Sequence, residues 1–391
     1  MQDNIVEFAP AQISSQKIEN LLKEPVPLPD LHIPNTELIQ ICDLALLSAN
    51  RYAKITQAPE TAIPSLNLRA LSTLLEARNQ GRKATEQDIA KELTRIEDVV
   101  SKEKEAMEIP ELPTVGLEVE INKERLPFPD ESYEIAALGH ESEAYPKTHL
   151  IQQLERLGIK IVIEKSGVQP TEIIFPASFS AIAQNQMLQE LQKIGVIPID
   201  KSRASLHINL GYTHIIPDED PYARTTSRRL SDVITYGFVT AERVKGRGHS
   251  TSVAVKDFDH DDLDILEKSN GEKIINRVEF RTPKVFGSTT FELIEKTQLV
   301  GTILSPGLEE IALSFDQHVN KLLNKYMLDH NLPQNDKIKA GEAIAKARAL
   351  RAEDKPNLID DAQQLMTYFS EKIRRKLYPQ EFEETTSLAA D

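Results

Sequence analysis

Four short segments constrain this chain more than any others: GLEVEI at 116–121, TEIIFP at 171–176, SLHINLG at 205–211 and NRVEFR at 276–281. A β-strand turns successive side chains to opposite faces. Leu117, Val119 and Ile121 therefore share one face, as do Leu206, Ile208 and Leu210, and Val278 with Phe280. Strands of this kind bury their apolar face by pairing into a sheet beneath a layer of helices. The opposite face then collects Glu118, Glu120, Glu172, His207, Asn209, Arg277, Glu279 and Arg281.

Around these segments the periodicity changes. Residues 1–110 read as a helical N-terminal region after a proline-rich start, EPVPLPDLHIP. Leu38, Ile41, Ala45 and Tyr52 recur at helical spacing behind the cap candidates Asn35 and Thr36, and TEQDIAKELTRIEDVVSKEKEAM opens with Thr85 three residues before Asp88, a variant capping box. Residues 111–330 read as a mixed domain that carries the four strands, and residues 331–391 as a helical C-terminal extension. Within the middle region HLIQQLERLG is a helix closed by Gly158 and followed by a strand, and a second helix ends at Gly195. A helix near 224–243, the loop KGRGHSTS, the strand TSVAV and an acidic turn at 257–264 come next, and beyond Gly287 amphipathic helices return over 288–330, 335–352 and 357–378. The fold class is α+β: a curved, mainly antiparallel sheet with helices on its outer face and helical extensions at both ends.

For any one strand, an ordinary solvated face explains the alternation. Taken together, the four collect carboxylate, imidazole and guanidinium groups where a solvated face mixes Lys, Thr, Ser and Gln. Glu118 and Glu120, about 7 Å apart on one strand face, repel unless positive charge lies between them. A divalent cation supplies it, and oxygen donors with one imidazole suit magnesium or manganese. Arginines on the same face suit phosphate oxygens, because the guanidinium is a permanently charged two-pronged donor. Metal and arginine together are the equipment of phosphoryl transfer.

In order and in separation, GLEVEI, SLHINLG and RVEFRTP resemble the signature strands of the glutamine synthetase superfamily, in particular its amidoligase branch of carboxylate-amine ligases. The resemblance covers about residues 111–305. It implies metal ligation by the Glu-x-Glu pair Glu118 and Glu120, by His207 of the His-x-Asn element, by Glu279 of the Arg-x-Glu-x-Arg strand, and by Glu172 of TEIIFPAS. It also implies a phosphate-binding Arg281 assisted by Arg277, with Glu279 shared between metal and catalysis, and Asn209 beside the nucleotide. The activity implied is ATP-dependent amide formation through an acyl phosphate, with Mg2+ or Mn2+ and with a small carboxylate and an amine as substrates. A phosphotransferase making phosphoguanidines on a related sheet, and a non-catalytic relative acting as a binding or assembly module, are the alternatives.

Lys245 and Arg247, with His249 in KGRGHSTS, are candidates for closing over a nucleotide phosphate, against an exposed hairpin. The run DFDHDDLD lacks the glycine and terminal glutamate of a calcium loop and reads as a solvated acidic turn. A net charge of −15 argues against a nucleic-acid or anionic-membrane partner. The single cysteine, Cys42, excludes an intramolecular disulfide, and no apolar run of about eighteen residues marks a membrane span. A cytoplasmic protein is the expectation; the sequence leaves its oligomeric state open.

Overall fold

A computed structural model describes residues 33–121, 149–163, 171–197, 204–217, 263–267, 273–282, 288–329, 356–379 and 382. Its helices are α1 (Asn35–Thr56), α2 (Ile63–Asn79), α3 (Glu86–Thr94), α4 (Glu97–Met107), α5 (His149–Arg156), α6 (Ala181–Lys193), α7 (Ser288–Gly301), α8 (Glu309–Asp329) and α9 (Pro356–Leu377). The strands are β1 (Thr114–Ile121), β2 (Lys160–Ile163), β3 (Thr171–Ile174), β4 (Ala204–Pro217), β5 (Leu263–Glu267) and β6 (Lys273–Thr282). They form one open sheet in the order β2-β3-β1-β4-β6-β5, antiparallel at every junction.

The register explains why the strands pair as they do. Leu117 lies opposite Ile208, Val119 opposite Leu206, Ile208 opposite Phe280 and Leu210 opposite Val278. Every apolar position thus meets another, and all of these residues are buried. A slip by one residue would send the whole set to the other face. Helices α6 and α7 pack on β1, and α7 also on β4; α2 in turn packs on α6, α1 on α2, and α9 on α7. One hydrophobic core runs from Leu38 of α1 through Leu71 of α2 and Val119 of β1 to Phe369 of α9.

Polar contacts hold the layers in register. On α4 the buried carboxylate of Glu103 accepts from the Phe179 and Ser180 amides at 2.6 and 2.8 Å, just ahead of α6. Gln298 of α7 donates to the carbonyls of Pro113 and Phe179 at 2.8 and 2.7 Å, fixing the approach to β1. At the end of α7 the backbone comes so close to β4 that a Cβ on Gly301 would overlap Leu210 Cδ1, and the Tyr212 hydroxyl donates to the Gly301 carbonyl at 3.0 Å. Any side chain at Gly301 would force the buried Leu210 side chain to move.

Helix ends follow the sequence in part. Thr85 and Asp88 form the reciprocal capping box, and Gly158 and Gly195 adopt positive φ after α5 and α6. By contrast Asn35 and Thr36 do not cap α1: the helix begins at Asn35, with Pro34 before it and no side-chain cap. Proline presets that turn without a donor. The long helix expected from Thr85 breaks at Arg95 and Ile96, leaving α3 and α4 separate, with Ile96 buried in the corner. The acidic turn expected over 257–264 gives way at Leu263, where β5 begins; 257–262 lies outside the described residues, as do the segments expected at 224–243 and 335–352.

Candidate metal centre

The site lies on the sheet face turned away from α6 and α7. Cross-strand partners in an antiparallel pair share a face, and the register sets Glu120 opposite Glu172 on β3 and Ser205 on β4, Glu118 opposite His207, His207 opposite Arg281, Asn209 opposite Glu279, and Gly211 opposite Arg277. All eight charged or polar positions expected on one face occupy it.

Three of them converge. One ligand atom each from Glu118, His207 and Glu279 lies within 4.8 Å of the other two. His207 Nδ1 is 2.8 Å from Glu279 Oε1 and 3.6 Å from Glu118 Oε2, while Nε2 on the other side of the ring is 3.6 Å from Glu120 Oε1. His207 and Glu279 are buried, and the Glu118 side chain is only 12 % exposed. Two carboxylates with so little water around them need a positive neighbour. Arg277 provides one at the rim, its Nη1 3.8 Å from Glu118 Oε1.

Within the cluster the imidazole provides the other. Burial alone would lower the pKa of His207, but the adjacent carboxylates of Glu118 and Glu279, aided by Glu120, outweigh burial and raise it to about 10. Despite its short distance to Glu279, Nδ1 has no aligned hydrogen bond among the described residues. A nitrogen and two carboxylate oxygens converging in this way fit a divalent cation of the magnesium or manganese type.

Asn209 is also buried, and its Oδ1 has no hydrogen-bond partner among the described residues. Glu172 reaches this face beside Glu120 but stands outside the converging three. Lys245, Arg247 and His249 lie outside the described residues. Strand β5 adds a position the sequence reading did not select: Asp264 lies opposite Arg277. The alternation of Leu263 and Ile265 around it was the available signal, hidden by the acidic run before it. Cys42 is buried in α1, and burial pushes its thiol up to about 12, which keeps it protonated and unreactive. No family model matches the chain, and no curated protein matches it in sequence.

Proposed function

We propose that the protein is a divalent-metal-dependent ligase that uses ATP to join a carboxylate to an amine, on a sheet of the glutamine synthetase type. One observation carries this reading: ligand atoms of Glu118, His207 and Glu279 converge within 4.8 Å on a face whose register also brings in Arg277 and Arg281. The order of the strand motifs along the chain supports it.

Glu118, His207 and Glu279 would hold Mg2+ or Mn2+, with Glu120 and Glu172 beside them. When bound, the cation supplies charge that neutralises the phosphate oxygens of ATP. Arg281, with Arg277, would orient the transferring phosphoryl group and balance its charge, and Lys245 and Arg247 would close over the nucleotide. A carboxylate oxygen of the acid bonds to the γ-phosphorus as the bridging bond to ADP breaks, giving an acyl phosphate. The amine then attacks the acyl carbon, phosphate leaves with the C–O electron pair, and the amine gives up a proton to solvent.

Substrates would be small molecules. The chain's charge of −15 offers nothing to a nucleic acid, and no helix among the described residues is long and apolar enough to cross a membrane. A single cysteine suits the reducing cytoplasm. The test follows ADP and phosphate release over a panel of carboxylates paired with ammonia, amino acids and polyamines. Phosphate should appear only when acid and amine are both present; AMP and pyrophosphate as products would overturn the acyl-phosphate route.

A further inference from the structure

We propose that Asn209 is a fourth protein ligand of the cation centre, its amide oxygen coordinating the metal together with Glu118, His207 and Glu279. The inference rests on the metal-centre reading above and gives Asn209 a role distinct from a nucleotide contact.

Three observations place it there. Asn209 lies directly opposite Glu279 and two residues along the same strand face from His207. It is 8 % exposed, and its Oδ1 is buried without a hydrogen-bond donor among the described residues. Its other cross-strand neighbour is Gly116, which has no side chain to supply one. A buried amide oxygen left unsatisfied is costly, and the side chain directly opposite, Glu279, is an acceptor as well, while Arg277 and Arg281 stand only diagonal to it, opposite Gly211 and His207. Acceptors facing one another need a donor or a cation between them. One divalent ion satisfies the amide oxygen, both carboxylates and the unaligned His207 nitrogen together.

The resulting set, one nitrogen and three oxygens, favours hard cations. An amide oxygen adds a ligand without adding negative charge, which suits magnesium or manganese over softer metals. Asn209 therefore also sets metal preference.

The experiment measures Mn2+ and Ni2+ affinity of the full chain by calorimetry, with nucleotide absent, for wild type, Glu279→Gln, Asn209→Leu and Asn209→His, with folding checked by circular dichroism. Wild type should bind both metals and Glu279→Gln should weaken both. Asn209→Leu should lose on the order of tenfold or more in Mn2+ affinity. Asn209→His, which exchanges an oxygen for an imidazole nitrogen, should shift the preference toward Ni2+ by about tenfold. Should Asn209→Leu fail to fold, the metal preference of Asn209→His decides alone. Wild-type affinity and preference in both Asn209 variants, with Glu279→Gln impaired, would overturn the Asn209 role and leave the metal centre standing. Equal Mn2+ binding by wild type and Glu279→Gln, or none by wild type, would overturn both.

Discussion

His207 Nδ1 lies 2.8 Å from Glu279 Oε1, although the two residues are diagonal rather than direct partners across β4 and β6. The residue directly opposite Glu279 is Asn209, and the one directly opposite His207 is Arg281. The imidazole thus leans along the sheet toward carboxylates. That lean gathers ligand atoms from β1, β4 and β6 at one point.

Metal should stabilise the fold. The cation takes the place of the His207 proton between the carboxylates of Glu118 and Glu279, and a ligand that binds only the native state adds about 2.7 kcal/mol at a concentration one hundred times its Kd. Thermal melts with and without Mn2+ should show an upward shift in wild type and little in Glu118→Gln. An equal shift in both would place the effect elsewhere.

A second prediction concerns the helices behind the sheet. Arg69 of α2 pairs with Glu190 of α6 at 2.7 Å and with Glu92 of α3 at 2.5 Å, and Ser72 also donates to Glu190. The Glu190 side chain is only 3 % exposed. Arg69→Met should leave that carboxylate buried and short of charge, costing about 3–5 kcal/mol. Urea unfolding measures it; a loss under about 1 kcal/mol, the level of a surface pair, would contradict the assignment.

Glu103 should give stability a pH dependence. Burial raises its pKa above 4.5, against the hydrogen bonds from Thr61, Phe179 and Ser180, which lower it. A raised folded pKa means that the native state binds the proton more tightly, so the contribution is full below 4.5 and is lost as pH rises through the folded value. Glu103→Gln, which cannot titrate, should flatten the decline in urea midpoint from pH 4.5 upward. Parallel curves for wild type and variant would rule this out.

Much of the site was legible in the sequence because strand phase is local. Alternation within GLEVEI, SLHINLG and RVEFR decides which residues share a face before any pairing is known. Pairing order is non-local, and nothing in the segments says that β1 sits between β3 and β4. Glu103 and Arg69 were illegible for a related reason: within EDVVSKEKEAM and LNLRALST they look like solvent-facing helix charges, and only packing against neighbouring elements buries Glu103 and partly covers Arg69. The break at Ile96 and the strand at Leu263 were missed because one apolar residue suits a helix, a corner or a strand equally well.

Arg281→Lys should keep the fold and lose turnover. Lysine retains the charge but forfeits the two-pronged geometry, and one such electrostatic contact is worth about 3 kcal/mol, or on the order of a hundredfold in rate. Single-turnover phosphate release measures it, with circular dichroism as the folding control. Undiminished activity would remove Arg281 from the chemistry.

The most direct measurement is anomalous diffraction from crystals grown with Mn2+. A manganese peak should lie between the side chains of Glu118, His207 and Glu279, with His207 ligating through Nδ1. Absence of a peak there at saturating Mn2+, with all three side chains ordered, would contradict a metal centre on this face.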